Sequence, residues 1–314
     1  MKQCIWMDVD TGVDDALAIM LALSTPALEV VGISSVSGNV SSVQAAQNTS
    51  FIIQHLWPQK RIPILAGASE SLAGEAYHAA PEIHGPDGIG GVYESGRHSN
   101  FNSAAGSDQA VSAILEAVAA HPGELTLAAC GPLTNIASAI LTDPHTMGQL
   151  REIMMMAGAL HRPGNITPFA EFNVFCDPTA AQTVLASGLP IRMFPLDVTE
   201  RVPLMRSEIK RHAARCPRIA DLIMRIIRFY VRFHRKNYGF DGVFMHDALP
   251  IAYLIHPGLF VFKDMHLGVD TSPGDTRGQT KPSTIAPAGP LVKAALEVDE
   301  QGLHTLFWQQ LANP

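Results

Sequence analysis

Short apolar runs rich in β-branched residues recur along the chain at Ile5 to Met7, Val30 to Val36, Leu125 to Ala129, Ile153 to Met156 and Ile191 to Phe194. Each precedes a stretch of helical composition or a loop carrying Gly, Asn or Asp. Runs this short and this continuously apolar suit strands buried on both faces, which in an alternating βα pattern means an open, mostly parallel sheet with helices on both sides, an α/β fold. Helices are expected at Asp15 to Leu23, Val43 to Leu56, Asp108 to Ala120, Leu133 to Leu141, Thr179 to Ser187, Ile219 to Phe233 and Asp247 to Ile255. The last third is less regular, with strands expected at Leu259 to Val269 and Leu291 to Val298 and a closing helix at Leu303 to Leu311. No repeat or linker interrupts the pattern, so residues 1–314 are read as a single domain.

The first strand runs straight into Asp8-Val9-Asp10-Thr11-Gly12-Val13-Asp14-Asp15, with the first helix directly behind it. Two carboxylates about 4 Å apart repel by roughly 4 kcal/mol at an effective dielectric near 20, so four crowded at a strand end need a proton, a base or a cation. Helix capping explains one or two such acids, not four. The segment offers only oxygen ligands, which suits a hard ion such as Ca²⁺ or Mg²⁺ better than zinc. An EF-hand starting at Asp8 would need Gly at its sixth position and Glu at its twelfth, where the chain has Val13 and Ile19. A haloacid dehalogenase-like phosphatase also opens with Asp-x-Asp-x-Thr after a strand and would use Asp8 as nucleophile. Its later lysine and acidic motif have no counterpart at Gly131-Pro132-Leu133 or Met156-Ala157-Gly158.

The same segment resembles the amino-terminal signature of the inosine-uridine preferring nucleoside hydrolases, Asp-x-Asp-x-Gly-x-Asp-Asp. The resemblance continues in order through Ser37-Gly38-Asn39, Ile83-His84-Gly85-Pro86-Asp87-Gly88, Gly131-Pro132-Leu133-Thr134-Asn135, Gly164-Asn165, Ala170-Glu171-Phe172-Asn173 and His246-Asp247. It implies a Rossmann-like core and cleavage of the N-glycosidic bond of ribonucleosides through an oxocarbenium-like transition state. In that reading Asp10, Asp15, Asp247 and a backbone carbonyl near Cys130 hold Ca²⁺, and Asp10 takes the proton of the attacking water. Asp8 supports this network.

The resemblance also implies that Asp14 binds the ribose 2′ hydroxyl, Asn173 the 2′ and 3′ hydroxyls, and Asn165 with Glu171 the 5′ hydroxyl, while Asn39 helps fix the metal and ribose surroundings. His246, beside Asp247, is expected to protonate the leaving base. His84 is expected to face the pocket, His234 and Tyr238 to contact the base, and Met156 and Phe172 to line it. Trp6, Trp57 and Trp308 all lie outside the matched segments, which argues against a purine sandwiched between tryptophans and favours uridine and cytidine in pyrimidine salvage, with inosine also accommodated. The segment Leu160-His161-Arg162-Pro163 departs from the usual loop and is expected to reshape the base end. The long stretch from Gly67 to Gly106 has the composition of a flap. A calcium-dependent nucleoside-binding protein without turnover is the competing reading, opposed by the retained Asp10 and His246.

The bulk composition sets the remaining expectations. A chain of 314 residues, 47% hydrophobic and 16% charged, can bury a large core. A net charge of −7 leaves no basic footprint for nucleic acid, and the one basic stretch, Arg201 to Lys236, reads as the outer face of helices. Cys4, Cys130, Cys176 and Cys216 lack both CxxC spacing and a disulfide framework, which favours a reducing compartment, the cytoplasm. No signal sequence is visible and no apolar run approaches the ~20 residues that span a bilayer. The partner expected is a small ribonucleoside, and the resemblance implies a homo-oligomer, a tetramer.

Overall fold

The computed structural model describes residues 2–77, 79–93, 106–282 and 291–312. Its strands are β1 (Gln3–Val9), β2 (Leu28–Ser35), β3 (Ile64–Ala66), β4 (Thr126–Ala129), β5 (Glu152–Met156), β6 (Ile191–Phe194), β7 (Pro203–Met205), β8 (Gly242–Phe244), β9 (Phe260–Met265), β10 (Leu267–Val269), β11 (Thr280–Pro282) and β12 (Val292–Val298). Eight of them form one sheet in the order β3-β2-β1-β4-β5-β6-β12-β9. All neighbours pair in parallel except the edge pair β12 and β9. The expected open, mostly parallel α/β sheet is therefore what the chain forms.

Period-two alternation sends side chains of each central strand into two different apolar layers. Ile5, Met7 and Val9 join helices Val13–Ser24, Ala248–Ile255 and Glu300–Leu311 on one face. Trp6, Leu127, Ala129, Ile153 and Met155 pack with helices Ser107–Ala120, Thr134–Thr142 and Pro178–Ala186 on the other. Helix Val13–Ser24 is buried along its whole length, because it lies between the sheet and the later helices.

The departures from the expected elements have local causes. The strand expected over Leu259 to Val269 divides at His266 into β9, which belongs to the main sheet, and β10, which pairs antiparallel with β11. The helix expected over Ile219 to Phe233 divides into Pro217–Ile226 and Arg228–Asn237. The ψ of −2° at Ile227 breaks the α ladder there, and the second segment turns its aromatic side toward the site described below. Strands β3, β7, β8 and β11, of three residues each, and the short helices Pro81–His84, Phe172–Cys176 and Leu196–Thr199 carry too little periodicity to be read from sequence. The proposed flap lies partly outside the described residues. Among those described, no helix is long and apolar enough to cross a membrane.

The topology fixes where a ligand can bind. After β1 the chain builds β2 and β3 outward on one side, then returns to place β4 on the other side of β1. The loops beyond the carboxyl ends of β1 and β4 therefore diverge and leave a crevice at this switch point.

Candidate active site

The acid segment fills that crevice. Asp8 closes β1, wholly buried, with one carboxylate oxygen accepting from the Ser34 hydroxyl and from Asn135 Nδ2 at 2.9 Å. Burial raises its pKa to about 7. Asp15, in the first turn of helix Val13–Ser24, accepts from the backbone N–H of Gly12 at 2.8 Å and of Asp10 at 3.3 Å, and from Asn39 Nδ2 at 3.4 Å. Burial raises its pKa, and these donors limit the rise to about 6. Asp10 accepts from the Asn39 N–H at 2.7 Å through Oδ2, while its Oδ1 is buried without a partner. Asp14 likewise keeps a buried, unpartnered Oδ1, and desolvation followed by the Asp15 charge lifts it to about 8.

Asp247 precedes helix Ala248–Ile255 and arrives from the far end of the sequence, 2% exposed. Desolvation and the charges of Asp14, Asp15 and Asp10 push it well above the usual carboxylate range. Carboxylate oxygens of Asp14, Asp15 and Asp247 all lie within 4.8 Å of one another. Asp14, expected as a sugar contact, thus stands with Asp15 and Asp247, and Asp10, whose N–H donates to Asp15, lies beside them. Two glycines make this density possible. A Cβ on Gly38 would fall 2.1 Å from Asp10 Oδ2, and one on Gly12 would fall 2.6 Å from His84 Nδ1 and 2.7 Å from Asn39 Nδ2.

A cavity of about 230 Å³ opens over the cluster. Asp14, Asn39, His84, Cys130, Met156, Asn165, Glu171, Phe172, Asn173, His234, Tyr238, His246 and Asp247 all line it, whereas Asp8, Asp10 and Asp15 lie behind that surface. Asp8 Oδ1 is held by Ser34 and Asn135 rather than turned to the cavity, which disfavours the phosphatase reading.

Side-chain bonding shows what each lining residue is free to do. Asn173 Nδ2 donates to the carbonyls of Cys130 at 2.8 Å and Met156 at 3.0 Å, so its oxygen remains available. Glu171, expected at the ribose 5′ hydroxyl, lines the cavity and has backbone partners as well. It caps helix Phe172–Cys176, accepting from the N–H groups of Asn173 at 2.8 Å, Gly158 at 2.9 Å and Val174 at 3.2 Å. Asn165, exposed at the rim, accepts from the Phe172 N–H at 2.9 Å and leaves its amide NH₂ free.

The histidines form a buried group that stays neutral. His84 accepts from the Val13 N–H at 3.1 Å through Nδ1, and burial, aided by His234, pulls its pKa down to about 3. His234 Nδ1 lies 3.0 Å from the Gly242 carbonyl, which can only accept, so the ring proton sits there and Nε2 is an acceptor. Its pKa falls to about 4. His246 Nδ1 lies 2.8 Å from the Thr199 hydroxyl, and desolvation with the neighbouring His234, His84 and Arg162 lowers it to about 3.

Sequence reading missed the aromatic wall. Tyr230, Phe233 and Phe244 join Tyr238 and His234 around one end of the cavity, with the His234 ring 4.4 Å from Tyr230 and 4.8 Å from Phe244. The available signal was the density of rings between Phe229 and Phe244, which an amphipathic helix reading absorbs as core. The departing loop at Leu160 to Pro163 is tied down by Asp197, which accepts from the N–H of Leu160 at 2.9 Å and His161 at 2.8 Å. Arg162 pairs with Glu200, itself a lining residue.

Known proteins share both this sequence and this geometry. The family model of the inosine-uridine preferring nucleoside hydrolases matches residues 5–305. The chain belongs to that family. It is 36% identical over 280 residues to the pyrimidine-specific ribonucleoside hydrolase RihB of Escherichia coli K12, covering 89% of this chain and 87% of that one. Among solved structures, the plant nucleoside hydrolase PpNRh1 superposes with a TM-score of 0.91 at 27% identity over the full length of both chains. A purine-preferring ribonucleoside hydrolase from Gardnerella vaginalis gives 0.88 at 29% identity, covering 99% of this chain and 98% of its own.

Proposed function

We propose that this nucleoside hydrolase family member cleaves ribonucleosides to ribose and free base with Ca²⁺ at the acid cluster, and prefers uridine and cytidine. The observation carrying this reading is the convergence of Asp14, Asp15 and Asp247 within 4.8 Å, beside the orphaned Asp10 Oδ1 and under an aromatic-walled cavity. An all-oxygen donor set with two unpartnered buried oxygens fits a hard dication. Asp10, Asp15, Asp247 and the Cys130 carbonyl would hold it, with Asp14 alongside. When bound, calcium supplies a lowered pKa to the attacking water and positions for the ribose hydroxyls.

The chain's own groups do the rest. Asp10 Oδ1 accepts the proton of the water, while Oδ2 stays fixed by the Asn39 N–H. Asp14 and the free oxygen of Asn173 accept from the ribose 2′ and 3′ hydroxyls, and the Asn165 amide reaches the 5′ end from the rim. At the base end His234 Nε2, an acceptor, matches the N3–H of uracil or the N4 amino group of cytosine, and neutral His246 stabilises the departing ring by a hydrogen bond from Nε2–H while the Thr199 hydroxyl donates to its Nδ1, the base taking up its proton from solvent. The 36% identity to a pyrimidine-specific relative supports the base preference. Tyr230, Phe233 and Phe244 leave room for stacking without tryptophan, so inosine is also accommodated.

The test is a panel of ribonucleosides assayed for free ribose and free base, with and without a chelator. Uridine should be cleaved and chelation should abolish turnover until calcium is restored. 2′-Deoxyuridine should be at least ~100-fold poorer in kcat/KM, because a site built to bind a hydroxyl leaves buried polar groups unmatched when it is missing. Equal turnover of the two sugars would remove Asp14 and Asn173 from the ribose site.

Metal-free protein should show a pH signature. Asp8, Asp14 and Asp15 have folded pKa values raised to about 7, 8 and 6, above their unfolded value, so the folded state binds more protons. Their contribution is fully present below the unfolded pKa and is lost as pH rises through the folded values. Below about pH 6.5 the depressed histidines His84, His234 and His246 act in the opposite sense, so the fall in Tm of chelated protein should be read between about pH 6.5 and pH 8, and saturating calcium should flatten the slope. A metal-free Tm that rises over that window would refute the buried cluster.

A further inference from the structure

At the opposite end of β1 from the acid cluster, a second group of side chains meets that the hydrolytic reaction does not use. Atoms of Cys4 (Sγ), His121 (ring nitrogen) and Glu124 (carboxylate oxygen) all lie within 4.8 Å of one another. Six residues of strand separate Cys4 from Asp10, about 20 Å, so this cluster is independent of the cavity. None of the three side chains has a hydrogen-bond partner within the described residues, and Cys4 is a free thiol.

The backbone presents the group rigidly. Helix Ser107–Ala120 ends at His121, and the turn His121-Pro122-Gly123-Glu124 doubles back into β4. The N–H groups of Glu124 and Leu125 both donate to the His121 carbonyl at 3.1 Å, and Gly123, at φ +73°, donates to the Gln149 carbonyl at 2.7 Å. His121 and Glu124 are thereby held on one side of the turn, facing Cys4 near the start of the neighbouring strand. Glu29, the register partner of Cys4 on β2, adds a second carboxylate close to the thiol.

The geometry points to a divalent transition-metal site of Cys4, His121 and Glu124, taking Zn²⁺ and tying the amino-terminal end of β1 to the turn before β4. Thiolate, imidazole and carboxylate are the zinc donor set, and a thiolate disfavours the calcium proposed for the active site. Ligands on tetrahedral zinc stand about 3.3–3.8 Å apart, given bonds of about 2.0–2.3 Å. Closing from 4.8 Å needs only side-chain rotation at a partly exposed position. Without a cation, burial and the charges of Glu29 and Glu124 raise the Cys4 thiol pKa, and a bound dication reverses the sign of that environment.

The test uses full-length protein saturated with calcium, so that the acid cluster is filled, titrated with Co²⁺ as a spectroscopic stand-in and then with Zn²⁺. A thiolate-to-cobalt charge-transfer band should grow to one equivalent and disappear as zinc displaces cobalt. Cys4→Ser should lose the band, His121→Ala should weaken cobalt binding at least tenfold, and Glu124→Gln, at the exposed edge, should weaken it several-fold. Uridine turnover should be unchanged in all three, which also reports that each variant is folded. A band that persists in Cys4→Ser, cobalt binding unaltered in both His121→Ala and Glu124→Gln, or no thiolate band in the wild type would overturn the site. The ribonucleoside assay is separate, so failure here leaves the hydrolytic reading standing, and failure there leaves this one.

Discussion

Replacement of Asp10 by Asn should lower kcat about 10²–10⁴-fold on every riboside, whatever its base, the range by which a positioned general base accelerates a reaction. The two oxygens of Asp10 are in different states. Oδ2 is fixed by the Asn39 N–H at 2.7 Å, and Oδ1 is buried and unpartnered. In Asp10→Asn the amide oxygen must face that N–H, since the reverse orientation sets two donors against each other. The NH₂ then occupies the free position, where it cannot accept a proton. The side chain keeps its volume, so Gly38 and its neighbours need not move. In metal-free protein the substitution also removes one of the mutually repelling acids, and its Tm should be no lower than that of the wild type. Calcium content must be measured alongside kcat, because Asp10 is also a proposed ligand. A calcium-loaded variant that retains kcat within a few-fold would sink the assignment of Asp10 as base.

What could be read from the sequence follows from how each feature is encoded. Strands β1, β2, β4, β5 and β6 are buried on both faces and announce themselves as apolar runs, whereas β3 and β8 have three residues each and are stabilised by neighbours rather than by their own pattern. The acids from Asp8 to Asp15 are contiguous and so are visible together. Asp247, more than two hundred residues away, could be tied to them only through the family motif. How the acids meet depends on the first helical turn, and that turn brings Asp14 as well as Asp15 to within 4.8 Å of Asp247. Glu171 shows the same limit, since its side chain suits a sugar contact but its place at a helix start gives it three backbone donors to satisfy. The aromatic wall was hidden because Tyr230 and Phe233 also satisfy an ordinary amphipathic helix, and only the break at Ile227 turns them to the cavity.

His246→Ala should separate leaving-group activation from water activation. With natural nucleosides, whose bases leave poorly without a proton, kcat should fall about 10²–10⁴-fold, while p-nitrophenyl riboside, whose leaving group departs as a stabilised anion, should be cleaved nearly as fast as by the wild type. The free imidazole is held neutral, at about 3, by burial and by His234, His84 and Arg162. The neutral ring therefore assists the leaving base by hydrogen bonding, through the Nε2–H that it carries when the Thr199 hydroxyl, 2.8 Å from Nδ1, donates to it. Thr199→Val removes that hydroxyl without touching the cavity lining and should reproduce the selective defect in weaker form, because the ring can then adopt the other tautomer. Loss of p-nitrophenyl riboside cleavage equal to the loss on uridine, in a His246→Ala protein of normal calcium content and Tm, would instead mean that His246 acts on the acid cluster through its neighbour Asp247.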